Sequence, residues 1–82
     1  MDQITRTPTQ LGATLRRYRK KGGLTQVDLG NRVNKRQATV STLEAVGSGT
    51  LDTLFAVLSA LDLELVVRPR TKTSAADLGD IF

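Results

Sequence analysis

The chain of 82 residues contains no cysteine, no histidine and no tryptophan. Without cysteine it can form neither a disulfide nor a thiolate zinc site. Without histidine as well, it lacks the side chains that most often act as catalytic base, nucleophile or transition-metal ligand. We therefore expect a protein that is not an enzyme and that needs no metal or other cofactor.

Long apolar runs are also missing. None approaches the roughly 20 residues that a membrane-spanning helix needs. The first ten residues, MDQITRTPTQ, lack the apolar stretch of a secretory signal. These absences predict a soluble, cytoplasmic protein. The length predicts one domain whose core is marginal, a situation that association of identical chains often remedies.

Charge is distributed unevenly along the chain. Up to Arg36 there are nine basic and two acidic residues, a net charge of +7, whereas the remainder carries three basic and six acidic residues, a net charge of −3. Such asymmetry suits a polyanionic partner at one end of the protein. Ordinary solvated surface is an equally good interpretation of charge alone. For Arg16, Arg17, Lys20 and Lys21, contact with backbone phosphates and a role in keeping the protein soluble are equally good interpretations.

Two helices are predicted by their capping residues. Thr7 is placed to cap the first, with Pro8 at its first position and Gln10 completing a capping box, and Gly22-Gly23 ends it. Thr25 caps the second, whose first turn contains Asp28 and which ends at Asn34. Leucine, valine and tyrosine recur at helical spacing in both segments.

The next two helices and a strand follow from periodicity. A third helix is predicted from about Arg36 to Ala45, with Ala38, Val40 and Leu43 turned toward the core or near it. A fourth is predicted from Leu51 to about Leu61, with a broad apolar stripe that is either core or dimer interface and consists of Leu51, Leu54, Phe55, Leu58 and Leu61. Residues 63–69 then alternate in the manner of a short strand. A lone strand exposes an unpaired edge, so we expect it to pair with the same strand of a second copy. The paired residues would be Leu65, Val66 and Val67.

The second and third helices, joined by a short turn, form a helix-turn-helix. In this motif the second helix lies in the major groove of DNA. Arg36 can bond two atoms of guanine and Gln37 two atoms of adenine, and Ala38 leaves room for a thymine methyl group. Gln26, at the start of the second helix, can bind a phosphate. The predicted DNA-binding set is Gln26, Lys35, Arg36, Gln37, Ala38, Thr39, Ser41 and Thr42, of which Lys35, Thr39, Ser41 and Thr42 fit solvated surface equally well.

These residues carry a family resemblance. The stretch LTQVDLGNRVNKRQATVSTLEA, residues 24–45, resembles the Xre-type helix-turn-helix of phage Cro and repressor proteins. Further points of similarity are to the HipB-type antitoxins of that family: Pro8-Thr9-Gln10-Leu11, Gln37-Ala38-Thr39 and Thr50-Leu51.

The resemblance implies an all-α, four- to five-helix Cro/repressor-like domain with a short C-terminal β-strand paired across a homodimer. It implies an autorepressor that binds palindromic operators in double-stranded DNA, associated with the nucleoid when bound. It also implies an antitoxin that neutralises a HipA-like serine/threonine kinase toxin. A phage-type or restriction-controller regulator without a toxin is the alternative.

Two further expectations follow from the resemblance and the division of the chain. The family pairs the positions of Arg19 and Glu44, which implies a structural, partly exposed ion pair rather than a DNA contact. The chain divides into an N-terminal arm (1–6), a helix-turn-helix domain (7–62), a dimerisation strand (63–69) and a flexible tail (70–82). The tail ends in Ile81-Phe82, which is either an anchor for a partner or a frayed terminus.

Overall fold

The computed structural model describes residues 2–70, which form four helices. They are α1 (Pro8–Lys21), α2 (Gln26–Val33), α3 (Gln37–Val46) and α4 (Leu51–Ala60). The all-α prediction is confirmed, and no helix begins or ends more than one residue from its predicted position. Arg36 is the N-cap of α3 rather than its first residue, and Leu61 is the C-cap of α4.

Side-chain caps explain where α1, α2 and α4 begin, whereas α3 begins without one. The Thr25 hydroxyl accepts from the N–H of Asp28 at 3.0 Å, and the Asp28 carboxylate accepts from the N–H of Thr25 at 2.9 Å. Thr7 caps α1 in the predicted way. The predicted reciprocal bond from Gln10 to Thr7 is wrong, because the Gln10 side chain accepts from the N–H of Arg6 instead, at 2.7 Å. The arm before Thr7 turns back along α1, which brings that earlier N–H within reach.

A small apolar core joins all four helices. Each helix contributes at least one of its buried side chains, which are Leu15, Leu29, Val40, Leu43, Val57 and Leu58. In α4 the buried face is centred on Val57 and Thr53, whereas Leu51 and Phe55 of the predicted stripe are 70% and 50% exposed. Helix α4 packs mainly against α2, and the part of its surface that carries Leu51 and Phe55 stays open to solvent.

Helices α1 and α3 make the closest approach in the fold. Gly12 is buried, and a Cβ at that position would lie 2.7 Å from the carbonyl oxygen of Glu44 and closer still to that of Leu43. The two backbones therefore touch, and nothing larger than glycine fits at this position. This contact sets the position of α3, the helix predicted to meet DNA.

Residues 63–70 form no regular secondary structure within the part of the chain that the structure describes. A strand is defined by hydrogen bonds to a neighbour, so pairing of Leu65, Val66 and Val67 with a second copy stays a prediction. Val66 and Val67 are 68% and 90% exposed. The predicted tail from residue 71, with Ile81 and Phe82, lies outside the described residues. Among residues 2–70, no helix has the length and apolar character needed to cross a membrane.

Candidate nucleic-acid interface

The turn between α2 and α3 has a fixed geometry. Asn34 takes the left-handed conformation, with φ at 57°. The N–H of Lys35 then bonds the carbonyl of Gly30 at 2.8 Å, which closes the α2 C-terminus as a Schellman motif. A Cβ on Gly30 would lie 2.7 Å from the carbonyl oxygen of Lys35. The turn is therefore pressed onto the last helical turn of α2, which fixes the direction in which α3 begins.

One face of α3 is open to solvent and carries chemistry suited to base edges. Arg36 and Gln37 lie at its start, exposed, and Ala38 and Ser41 continue the face along the helix. Lys35 and Thr42 are exposed too, and Thr39 is half-buried. The expectation that Ala38 turns toward the core is wrong: Val40, Leu43 and Glu44 form the buried side of α3, and Ala38 lies roughly 200° around the helix from Val40.

Four side chains link this face to the interior of the protein. Gln37 Nε2 donates to Gln26 Oε1 at 3.4 Å, and Gln26 Nε2 donates to Glu44 Oε1 at 3.2 Å. Glu44 in turn accepts from Arg19. The chain of contacts runs from α3 to α2, back to α3 and on to α1. It holds the first residue of the recognition helix in a defined place.

The inner end of this network is a buried ion pair. Arg19 donates through Nε and a terminal nitrogen to the two oxygens of Glu44, at 2.6 and 3.0 Å, and Nη1 reaches the carbonyl of Leu24 at 2.7 Å. Arg19 and Glu44 are only 6% and 4% exposed. The expected partly exposed pair is thus a buried one, because the Gly12 contact brings α1 directly onto this part of α3. Because it is buried, Arg19 is not available to contact DNA.

The described residues leave no buried side-chain nitrogen or oxygen without a partner. Within the same part of the chain, no group of three or more acidic side chains could hold a metal ion. The exposed face of α3 offers hydrogen-bond donors, acceptors and cations on an open surface. A surface of this kind is suited to recognition of a polyanion.

The sequence did not reveal the part played by Gln26. It was predicted to bind phosphate, and the structure places its half-buried side chain between Glu44 and Gln37. Its backbone N–H remains at the N-terminus of α2. The only signal in the sequence was the position directly after the Thr25 cap, and position alone cannot show a contact with a residue 18 positions away.

The fold and the exposed face of α3 define a helix-turn-helix domain, and comparison with known proteins agrees. A family model described as a helix-turn-helix domain matches residues 10–72. A relative, antitoxin HipB of Escherichia coli strain K12, is 34% identical over 62 residues, which span 74% of this chain and 70% of the relative. The chain belongs to the HipB-type antitoxin family of helix-turn-helix proteins.

Solved structures of HipB resemble this chain along most of its length. A HipB variant in complex with a 20-mer, O2, superposes with a TM-score of 0.79 at 30% identity, covering 87% of this chain and 100% of that one. HipB in a complex of HipA, HipB, O2 and O3 gives a TM-score of 0.78 at 31% identity, covering 85% of this chain and 100% of the other.

Proposed function

We propose that this protein is a sequence-specific DNA-binding autorepressor and the antitoxin of a HipBA-like toxin–antitoxin pair. The observation that carries the proposal is the exposed start of α3, where Arg36 and Gln37 meet solvent and Gln37 is held by Gln26. HipB relatives solved with 20-mers have the same fold, which supports a duplex as the partner of this face.

The geometry of Gln37 suits recognition of adenine. An amide nitrogen carries two hydrogens, so Gln37 can donate one to Gln26 and keep the other for N7 of adenine while its oxygen accepts from N6. The Gln26 contact fixes the plane of the amide before DNA arrives, which lowers the entropy lost on binding. Arg36, one residue earlier, presents a planar fork that matches O6 and N7 of guanine.

Phosphate contacts would come from the elements beside this face. The N-terminus of α2 offers the backbone N–H of Gln26, and Lys35 lies in the turn, exposed. Thr39, Ser41 and Thr42 supply hydroxyls farther along α3. Contacts of this kind orient the protein without reading sequence, and they make affinity fall steeply with salt.

A dimer would present two copies of α3. Leu65, Val66 and Val67 are each at least half exposed, and so is Phe55 on the uncovered side of α4. Covering these apolar side chains with a second copy, through a strand paired across a two-fold axis, removes them from water. Two-fold symmetry then requires a palindromic operator whose half-sites lie one helical turn, or a multiple of it, apart.

The second partner would be a HipA-like serine/threonine kinase toxin. The support is that the relative HipB is an antitoxin and that HipA has been solved in a complex with HipB. A toxin that stabilises the DNA complex must leave α3 free, so its contacts belong on other surfaces. The protein would act in the cytoplasm and be associated with the nucleoid when bound to DNA.

The proposal is tested with the chain and the DNA upstream of its own gene. We expect footprinting to show a symmetric protected site, and binding to fall about 10³–10⁵-fold between 50 and 200 mM salt if roughly 6–10 phosphates are contacted. Gln26→Ala should lower discrimination at the adenine pair, whereas Arg68→Ala, outside the helices, should not. A flat salt response or protection without symmetry would contradict repression. Failure to co-purify with a kinase encoded beside the gene would contradict the antitoxin role.

A further inference from the structure

Helix α1 carries a second cationic surface, separate from the start of α3. Arg16, Arg17, Lys20 and Lys21 are all exposed. In residues 2–70 the single ion pair is Arg19–Glu44, so none of these four cations is neutralised by a described carboxylate. Arg16 and Lys20 lie only about 40° and 80° around the helix axis from Gly12, on the side of α1 that touches α3. We therefore call Arg17 and Lys21 alone the α1 cation face.

The α1 cation face points away from the recognition helix. Gly12 marks the side of α1 that touches α3. On a helix of 3.6 residues per turn, Arg17 and Lys21 lie about 140° and 180° around the axis from Gly12. A duplex lying in contact with Gln37 would therefore leave Arg17 and Lys21 free on the far side of α1.

The neighbours of these cations leave their charge intact. Arg17 Nη1 donates to the neutral amide oxygen of Gln3 at 2.9 Å, and Lys21 Nζ lies 5.9 Å from the centre of the Tyr18 ring. Both contacts orient the side chain without cancelling its charge. Because the amide and the ring compete only weakly with a phosphate, both cations can bind an anion at little cost.

The composition of the face favours nucleic acid over protein. Protein interfaces rely on buried aromatic and apolar anchors and contain few lysines. None of the exposed large apolar side chains among the described residues lies in α1. Arginine and lysine side chains, in contrast, are sufficient to bind backbone phosphates, and they do so without regard to sequence.

We propose that the α1 cation face binds the phosphate backbone of a second DNA duplex while α3 occupies an operator. The protein then bridges two DNA segments. The first is bound through its base sequence and the second through the charge of its phosphates. This inference rests on the proposed function for the first duplex. The second contact needs no particular base sequence.

The test uses the full chain bound at saturation to its own promoter duplex on a surface, with a labelled random-sequence 20-mer duplex in solution. The variant is Arg17→Gln/Lys21→Gln, and the matched control is Arg6→Gln/Arg70→Gln, which removes the same charge from exposed residues outside the helices and outside segment 63–69. We expect the first variant to lower capture of the random duplex about tenfold and to reduce its salt slope by about 2, since each lost phosphate contact reduces the slope by about 0.9. The control should change capture less than about twofold.

Three outcomes overturn the inference. Capture equal to that of the unchanged protein would mean that Arg17 and Lys21 only interact with water. An equal loss of promoter affinity would mean that they hold the operator itself. Capture that falls equally in the control would mean that net charge, not this face, attracts DNA. Circular dichroism verifies that both variants fold.

Titration with the random duplex alone separates this inference from the proposed function. If the promoter is not preferred over random DNA, yet random binding depends on Arg17 and Lys21, the proposed function fails and phosphate binding by the α1 cation face stands. If the promoter is bound specifically and no second duplex is captured, the inference about the α1 cation face is wrong and the proposed function stands.

Discussion

Arg19 and Glu44 form a two-pronged, buried ion pair that joins α1 to α3 behind the exposed face of α3. The carboxylate also accepts from Gln26, which touches Gln37. Stability and recognition therefore depend on the same carboxylate. A change at this pair should alter the unfolding free energy first and the position of α3 with it.

Removal of one partner of this pair should unfold the protein readily. We expect Arg19→Met or Glu44→Leu to lower the free energy of unfolding by about 3–5 kcal/mol, because each leaves a buried charge unpaired. Urea denaturation at pH 7 measures the change. The double variant should recover much of the loss, since an apolar pair of similar volume often substitutes without cost. Arg17→Met, at an exposed position, serves as control, and single variants as stable as that control would contradict the role of the pair.

The start of α3 should determine sequence preference. Arg36→Ala and Gln37→Ala should each weaken binding to the operator by about 1–3 kcal/mol and relax discrimination at one base pair. Fluorescence anisotropy on operator and random duplexes measures both quantities. Arg68→Ala is the control for loss of a positive charge. An equal loss on random DNA would mean that these side chains hold phosphates instead.

The contact between α1 and α3 should tolerate no side chain at Gly12. Gly12→Ala should destabilise the fold by roughly 1–3 kcal/mol, because overpacking outweighs the gain in helix propensity. The control is Gly49→Ala, where the new Cβ would meet only Leu43 Cδ1 at an ordinary 3.6 Å. Thermal unfolding of both variants decides the matter, and a Gly12→Ala protein as stable as the control would show that the helices can separate without loss.

The capping box of α2 should make stability depend on pH in the acid range. Hydrogen bonds from the backbone and side chain of Thr25 hold the pKa of the Asp28 carboxyl below its ordinary value of 3.8. A carboxyl whose pKa is lowered on folding contributes stability above its unfolded pKa and loses that contribution as the pH falls through the folded pKa. Asp28→Asn should therefore be less stable than the unchanged protein at pH 7 and equal to it in strong acid.

Urea denaturation at a series of pH values measures that difference, with Glu64→Gln as the control for removal of one exposed negative charge. A stability difference that stays constant from pH 7 into strong acid would show that Asp28 acts without its charge.

Strand pairing should be lost when a charge is placed in it. Val66→Asp introduces like charges near the two-fold axis of the proposed dimer, and we expect monomers in analytical ultracentrifugation. Binding to a palindromic operator should weaken, since each half-site is then bound separately. The exposed position Asp62→Asn, just before the segment, provides a comparison. A persistent dimer in Val66→Asp would refute the shared strand.

The sequence predicted local features well and distant contacts poorly. The sequence predicts Thr25 as the N-cap of α2 and Asp28 in its first turn, and both are confirmed, although the reciprocal bond that makes the pair a capping box was predicted at Gln10 instead. The link between Gln26 and Glu44 depends instead on how α2 meets α3. Likewise the burial of Arg19 depends on the close approach at Gly12, which no periodicity reveals. The exposed side of α4 was ambiguous because a leucine or phenylalanine on that helix suits a core and an interface between chains equally.

The recognition helix is fixed at both of its ends. At its start the turn is pressed onto Gly30, and at its end Gly47, in the left-handed conformation, lies so close to Pro8 that a side chain there would collide with the Pro8 backbone. We expect a helix held at both ends to tilt or slide little when it meets an unfavourable base pair of the proposed operator. We then expect weak binding to DNA sites that do not fit this rigid helix. The operators that bind well should be those whose DNA deforms to fit it.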